Sequence, residues 1–119
     1  MNVLLVDDED NLRRFLKVVL KSAGFEVVEA SNGVEALKLS EKHQIDVLVT
    51  DVVMGEMDGL TLAHSLVSLK PELPVVFISG YVMDLEAERR RHPRCAFLPK
   101  PFPAKALLQT VAGLSGVTS

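Results

Sequence analysis

Short apolar runs that alternate with helix-like segments constrain the fold of this chain more than any other feature. The run Val47-Leu-Val49 consists of β-branched and aliphatic residues, which is typical of a strand buried on both faces of a sheet. Similar runs recur along the chain, and segments with apolar residues at helical spacing separate them. This alternation predicts an α/β fold in which βα units build a parallel sheet.

The same pattern predicts where the elements lie. The predicted strands cover residues 3–6, 25–29, 46–50, 74–78 and 95–98. The predicted helices cover residues 12–23, 34–42, 60–69, 82–91 and 104–114. The second strand is expected near an edge of the sheet, because Glu26 and Glu29 interrupt it. The fourth helix contains few large apolar residues, so we expect it to be weakly packed.

Helical spacing also predicts which side chains face the core. In the first helix these are Leu12, Phe15, Leu16, Val19, Leu20 and Ala23, and in the third helix Leu62, Ala63, Leu66 and Leu69. We interpret the basic residues on the other face of the first helix, Arg13, Arg14, Lys17 and Lys21, as a solvated surface. Gly24 is expected to end this helix.

Length and composition indicate a single domain over residues 1–119, with a core at about 2–114 and a tail or linker start at 115–119. The net charge of −3 argues against direct nucleic-acid binding, which requires a basic face. Cys95 is the one cysteine, which excludes an internal disulfide and is typical of a reducing compartment. No apolar run reaches the length of a membrane span and no signal-peptide pattern is present, so we expect a cytoplasmic protein with no membrane contact.

Charged or hydroxyl side chains follow four of the predicted strands. Asp7 and Asp8 follow the first strand, Asp51 the third and Ser79 the fourth, and Lys100 lies just beyond the fifth. In a parallel sheet these strand ends point the same way, and open α/β sheets bind ligands there. The sequence therefore predicts that these side chains share one site.

Three aspartates in one site repel one another unless a cation is present. Two carboxylates about 4 Å apart in a surface-like dielectric repel by about 4 kcal/mol. A divalent cation removes that cost, and a few oxygen ligands with room for water favour Mg²⁺. His43, His64 and His92 show no metal-ligand spacing, so the sequence does not predict a transition-metal site.

Aspartate is a competent nucleophile toward phosphoryl groups, and the remaining strand-end residues provide what such a reaction needs. In this interpretation Asp51 is the nucleophile, Asp7 and Asp8 bind the metal, Lys100 supplies a cation and Ser79 a hydroxyl donor. Each residue also has a purely structural interpretation as a helix cap, turn or loop residue. Those separate interpretations do not explain why all of the groups fall at strand ends of one sheet.

The complete set of motifs has a definite order: Asp7-Asp8, Asp51, Met54, Asp58-Gly59, Ser79-Gly80 and Lys100-Pro101. In order and spacing this set resembles the receiver domain of two-component response regulators, over nearly the whole chain. The resemblance implies a flavodoxin-like, doubly wound (βα)5 fold with strand order 2-1-3-4-5. It also implies that Asp51 accepts a phosphoryl group from a histidine kinase, and that Lys100, before a cis bond to Pro101, pairs with that group. Mg²⁺ or Mn²⁺ would be bound by Asp7, Asp8, Asp51 and the backbone carbonyl of Val53.

The resemblance implies a conformational switch as well. The switch hydroxyl of the family matches Ser79, and its switch aromatic matches Phe97. Phosphorylation would draw the hydroxyl toward the phosphoryl oxygens and turn the aromatic ring inward. The surface of the fourth helix, fifth strand and fifth helix would change and signal to a partner or an attached kinase or output domain. The upstream partner would be a sensor histidine kinase or a phosphotransfer protein, and a weak homodimer would use the same surface.

Several residues depart from the family pattern. Gly55 stands where proline is common, so we expect a more flexible loop. Val53 and Tyr81 flank the phosphorylation site and are bulky residues that would hold an attacking water poorly, so we expect slow loss of phosphate. Phe97 lacks the hydroxyl of a tyrosine, so its inward state would gain packing but no polar contact. The expected protein is a switch with at most slow autophosphatase activity, and not an enzyme.

Three other functions stay open at this point. A haloacid-dehalogenase-like phosphatase also uses an aspartate nucleophile, but it carries a second aspartate two residues later, where this chain has Val53. A flavodoxin-like cofactor binder needs a first loop that binds phosphate, which the acids at 7–10 would repel. A degenerate receiver would act only as a binding module. The sequence leaves open whether the domain stands alone or belongs to a hybrid histidine kinase, although residues 79–81 and 98–102 slightly favour the hybrid type.

Overall fold

The computed structural model describes residues 1–81 and 83–115, and within them five strands alternate with five helices. The strands are β1 (Asn2–Val6), β2 (Glu26–Ala30), β3 (Val47–Asp51), β4 (Val75–Ser79) and β5 (Cys95–Pro99). The helices are α1 (Asp10–Ser22), α2 (Gly33–Lys42), α3 (Gly59–Leu69), α4 (Leu85–Arg91) and α5 (Ala104–Ser115). The predicted alternation of elements is confirmed.

All five strands run parallel in one sheet with the order β2-β1-β3-β4-β5. This is the expected flavodoxin-like order, and β2 lies at an edge as its two glutamates predicted. The register pairs Val6 with Thr50 and Asp51 with Ile78, so the carboxyl ends of the central strands are level. The chain passes from β1 outward to β2 and then returns to β3, which makes the β1–β3 junction the topological switch point of the sheet.

Helices cover both faces of the sheet. Alternate residues of β1 enter two different cores, with Leu4 and Val6 on one side and Val3 and Leu5 on the other. The first core includes residues of α2 and α3, and Leu85 of α4 packs against it. The second core includes residues of α1 and α5. Every residue of β3 and β4 is buried, as the apolar runs predicted.

Short side chains set where several helices begin. Asn32, Asp58 and Asp84 each accept a hydrogen bond from the backbone N–H three residues further on, at 2.8, 2.8 and 3.1 Å. These caps satisfy backbone donors that would otherwise lack a partner in the first turn. At the other end of α1, Gly24 follows the helix with a φ of +93°, a left-handed conformation that glycine adopts without strain.

The structure corrects several sequence predictions. Phe15 and Leu69 were expected in the core, but they are 53% and 80% exposed, and Ala23 is exposed just after α1 ends. Consecutive helical residues lie about 100° apart, so Phe15 falls outside the stripe that its neighbour Leu16 buries. The fourth helix begins at Leu85 instead of residue 82, which lies outside the described residues. Helix α5 continues to Ser115, the first residue of the predicted tail, and residues 116–119 lie outside the described ranges.

None of the helices in residues 1–81 and 83–115 has the combination of length and hydropathy that a bilayer-crossing segment requires.

Candidate functional site

The carboxyl ends of β1 and β3 bring three aspartates together. Asp7 directly follows β1, Asp51 is the last residue of β3, and one carboxylate oxygen from each of Asp7, Asp8 and Asp51 lies within 4.8 Å of the others. This closeness follows from the register, since Val6 and Thr50 are paired neighbours in the sheet. The predicted convergence of the acidic residues is therefore confirmed.

Lys100 comes to the same point from the end of β5. Its Nζ donates to Asp51 Oδ2 at 2.9 Å, while Asp51 Oδ1 accepts from the backbone N–H of Val53 at 3.3 Å. Burial acts to lower the pKa of Lys100, but the hydrogen bond and the charge of Asp51 outweigh it, so the pKa lies above its ordinary value. The bond from Lys100 to Pro101 is cis, as the family resemblance implied.

Asp7 is the most deeply buried of the three acids. Its Oδ1 accepts from the backbone N–H of Glu9 at 2.9 Å, and its Oδ2 has no hydrogen-bond partner in the described part of the chain. Burial, together with the neighbouring charge of Asp51, raises the pKa of Asp7 to about 6, against the lowering effect of the Glu9 N–H. A buried carboxylate oxygen without a partner, next to two further carboxylates, fits a hard divalent cation. Asp8 is exposed, which leaves this side of the cluster open to water.

An open cleft of about 420 Å³ lies over Asp51, lined also by Val53, Gly80, Tyr81 and Lys100. The side chain of Asp51 is only 8% exposed, whereas Val53 and Tyr81 are 55% and 72% exposed. The aspartate therefore forms the floor of the cleft, and the two bulky residues stand at its mouth. They are well placed to limit what reaches the carboxylate.

Ser79 lies on β4, the neighbour of β3, and Phe97 lies on β5, one strand further out. Ser79 is buried, and its Oγ accepts a hydrogen bond from the backbone N–H of Tyr81 at 3.0 Å. Phe97 is paired with Phe77 in the sheet, two positions before the pair formed by Ser79 and Pro99. Its half-buried side chain packs against the core on the side of the sheet that α2 and α3 cover. The hydroxyl thus lies at the carboxyl end of β4, on the same edge of the sheet as the site, and the ring lies two residues before the end of β5. The switch roles of both residues stay predictions.

Comparison with known sequences assigns the family. The profile described as the response regulator receiver domain matches residues 3–112. The chain belongs to this family. Sensor kinase CckA of Brucella abortus (strain 2308) is 45% identical over 112 residues, which are 92% of this chain and 12% of that protein. Response regulator receiver protein CpdR of the same strain is 34% identical over 110 residues, with 92% of each chain covered.

Comparison with solved structures agrees. The receiver domain from hybrid histidine kinase CckA superimposes with a TM-score of 0.82 at 36% sequence identity, covering 97% of this chain and 99% of that one. The chain is therefore similar both to a small receiver protein over almost its full length and to one segment of a much longer sensor kinase. Receiver domains are signalling switches of two-component systems, in which phosphorylation and a divalent cation are typical.

Two residues support the receiver site in ways that sequence reasoning missed. Arg13 was assigned to a solvated surface, but its side chain is only 11% exposed and donates to the backbone carbonyl of Asp7 at 2.7 Å. It also forms ion pairs with Asp10 and Glu29 at 2.8 and 3.3 Å, so it braces the loop that holds Asp7. The sequence did contain a sign of this contact, because the glutamates of the second predicted strand, Glu26 and Glu29, can form ion pairs with a basic residue such as Arg13.

Gly59 is required for a different reason. A Cβ atom added at Gly59 would lie 2.1 Å from the backbone carbonyl oxygen of Asp51, far inside contact distance. The backbone N–H of Gly59 donates to the carbonyl of Val52 at 2.8 Å, which holds α3 against the end of β3. The Asp58-Gly59 motif contributed to the family resemblance, but sequence alone did not reveal that it controls the position of Asp51.

A second group of potential metal ligands lies outside the receiver site. His64 of α3, Glu88 of α4 and His92 just after α4 each place one ligand atom within 4.8 Å of the others. Spacing along the chain does not reveal this group, because His64 lies far from the other two residues in sequence and the packing of α4 beside α3 brings them together. His43 does not belong to this cluster.

Proposed function

We propose that this domain is a phosphorelay receiver that takes a phosphoryl group from a phosphohistidine onto Asp51. The donor would be a sensor histidine kinase or a phosphotransfer protein. The observation that carries the proposal is the position of Asp51 at the floor of an open cleft, with Lys100 Nζ 2.9 Å away and the carboxylates of Asp7 and Asp8 beside it. A nucleophile, a cation and a metal-binding acidic pair are what phosphoryl transfer to a carboxylate needs.

In the transfer step, a carboxylate oxygen of Asp51 forms the new bond to phosphorus. The phosphorus–nitrogen bond of the phosphohistidine breaks, and the departing imidazole nitrogen keeps the electron pair. Lys100 already forms an ion pair with Asp51, so its ammonium group can turn to the phosphoryl oxygens without a new desolvation cost. Bound Mg²⁺ or Mn²⁺ would neutralise phosphoryl charge. Asp7, Asp8, Asp51 and the backbone carbonyl of Val53 would hold this cation.

The signal would leave the site through Ser79 and Phe97. A phosphoryl group on Asp51 offers acceptor oxygens to the Ser79 hydroxyl, which would give up its contact with the Tyr81 N–H. Phe97 would then turn toward the vacated space and change the surface formed by α4, β5 and α5. Helix α4 has only seven residues, and its apolar contribution to the core comes from a half-buried Leu85, so little free energy opposes its movement.

We propose this surface as the contact for a partner protein or for an attached kinase or output domain, and for a weak homodimer. The whole of residues 1–119 would act as one receiver in the cytoplasm, without direct contact to nucleic acid or membrane. The domain would be a switch and not an enzyme, with at most slow release of phosphate because Val53 and Tyr81 obstruct an attacking water.

Intact-protein mass spectrometry after incubation with acetyl phosphate and Mg²⁺ tests the proposal. The wild-type protein should gain the mass of one phosphoryl group, and chelation of the cation should prevent the gain. Asp51→Asn should abolish the adduct, whereas Glu41→Gln, which removes an exposed carboxylate on α2, should leave it unchanged. An adduct that persists in Asp51→Asn would refute the assignment of Asp51. A wild-type protein that accepts no phosphoryl group, even from a phosphohistidine donor, would instead be a module for binding alone.

A further inference from the structure

A group of two imidazoles and one carboxylate joins α3 to α4, away from the receiver site, with Glu88 and His92 buried and His64 partly exposed. Glu88 Oε2 lies 3.4 Å from His64 Nε2 and 3.5 Å from His92 Nε2. The two imidazole rings are 4.8 Å apart between centroids and inclined by 31°. Glu88 and His92 are four residues apart on one helix, so their side chains lie on the same face, opposite His64.

His92 is buried without the hydrogen bonds that a buried imidazole normally makes. Its side chain is 2% exposed, and neither Nδ1 nor Nε2 has a hydrogen-bond partner within residues 1–81 and 83–115. Burial lowers the pKa of His92, and the charges of His64 and Arg91 act in the same direction, against the opposing charge of Glu88. A buried imidazole nitrogen without a hydrogen-bond partner is free to bind a metal ion.

Glu88 is the second buried member of the group. Its side chain is 11% exposed, and its Oε2 faces the two imidazoles, with His64 Nε2 at hydrogen-bond distance. Taking a carboxylate out of water is costly unless a positive charge compensates it. A cation placed between the three side chains would satisfy the carboxylate and both rings together.

Two of the ligand-atom distances suit a tetrahedral ion. With bonds of about 2.0 to 2.1 Å to nitrogen and oxygen, a tetrahedral zinc ion holds neighbouring ligand atoms about 3.3 Å apart. The two distances from Glu88 Oε2, 3.4 and 3.5 Å, are close to this value, and all three ligand atoms lie within 4.8 Å of one another. Two imidazoles and one carboxylate, with one position left for water, form a ligand set that zinc and neighbouring transition metals prefer over Mg²⁺.

We propose that His64, Glu88 and His92 form a second metal site, for Zn²⁺ or a similar transition metal, which fastens α4 to α3. This site is independent of the proposed phosphoryl transfer. An open cleft of about 470 Å³, lined by His64, Arg91 and His92, gives an ion access from solvent. Arg91 NH1 lies 3.3 Å from His64 Nε2, so the exposed guanidinium must move aside when the ion binds.

Binding would restrain the element whose movement carries the proposed output. Helix α4 has seven residues and few apolar anchors, so a coordination bond from each of Glu88 and His92 to an ion shared with α3 would hold it in place. Zinc and phosphorylation would then act on the same helix from two separate sites. Bound zinc would therefore restrain α4.

Isothermal titration calorimetry with Zn²⁺ alone as the probe tests the site, in excess Mg²⁺ to saturate the acidic cluster around Asp51. The wild-type protein should bind one Zn²⁺. His64→Ala removes a ligand from the more exposed side of the cluster and should weaken binding by at least about tenfold. The matched control is His43→Ala, which removes an exposed histidine outside the cluster and should leave the affinity unchanged. Equal zinc affinity in wild type and His64→Ala, or no zinc binding by the wild type, would overturn the proposal.

Two further measurements separate coordination from a merely structural role. Co²⁺ should give the visible absorption of a tetrahedral site in the wild type, and His64→Ala should lose it while keeping the circular dichroism of the folded domain. Arg91→Ala should bind zinc more tightly, because the competing guanidinium is gone. Zinc should also slow amide hydrogen exchange at residues 85–92 in the wild type and in His43→Ala, but not in His64→Ala. Exchange that slows equally in His64→Ala would overturn the proposal.

Discussion

Replacing Asp7 with asparagine tests how much the buried charge of Asp7 destabilises the folded domain when no cation is bound. Asp7 is fully buried, one of its oxygens lacks a partner among the described residues, and its pKa rises from 3.8 to about 6. A difference of about two units corresponds to about 3 kcal/mol between the charged and neutral forms. Asparagine has the same shape without the charge. We therefore expect Asp7→Asn to be more stable than the wild type by about 3 kcal/mol in a chelator at neutral pH.

The pH dependence has a definite sign. A carboxyl group whose pKa is higher in the folded protein than in the unfolded chain binds protons more readily in the folded protein. The stability that Asp7 contributes is therefore complete below its unfolded value of 3.8 and is lost as the pH rises through about 6. The extra stability of Asp7→Asn over the wild type should therefore grow as the pH rises from 3.8 to about 6 and stay constant at higher pH.

Urea unfolding followed by circular dichroism, with and without Mg²⁺, measures these differences. A ligand that binds only the folded protein raises the free energy of unfolding of that protein, so Mg²⁺ should stabilise the wild type. Mg²⁺ should stabilise Asp7→Asn much less, because the variant lacks one of the carboxylates proposed to bind the cation. Glu41→Gln serves as the control, because an exposed carboxylate on α2 should give neither effect. The reasoning fails if Asp7→Asn is no more stable than the wild type in chelator, or if its advantage does not shrink as the pH falls below about 6.

Two other changes test the close packing and the mouth of the site. Gly59→Ala should destabilise the domain by about 1 to 3 kcal/mol and reduce phosphorylation, because the new methyl group would meet the Asp51 carbonyl oxygen. Gly55→Ala is its control: a Cβ there meets no atom within 4 Å, so the free energy of unfolding measured in urea should stay within about 0.5 kcal/mol of the wild-type value. Replacing Val53 by asparagine should shorten the lifetime of the phosphorylated protein, measured by loss of the mass adduct. A wild-type lifetime of only seconds in Mg²⁺ would contradict the obstruction assigned to Val53 and Tyr81.

Arg13 and Leu69 show the limit of helical periodicity as a guide to burial. The period separates an apolar from a polar face, but it does not tell where a helix ends relative to the sheet. Leu69, at the last residue of α3, is therefore exposed, although its spacing matches the buried Leu62 and Leu66. Arg13 lies on the polar side of α1, yet the neighbouring β2 supplies Glu29 and draws its side chain into a network under the site.

The amino-acid sequence by itself determined the alternation of strands and helices, the single parallel sheet and the meeting of Asp7, Asp51 and Lys100. These follow from local patterns, because apolar runs form the strands and the ends of parallel strands share one edge. Only the tertiary structure decided which helices lie side by side. That arrangement placed His64 of α3 against Glu88 of α4 and against His92, which directly follows α4. Contacts between separate helices depend on how each one packs on the sheet, and no spacing along the chain encodes them.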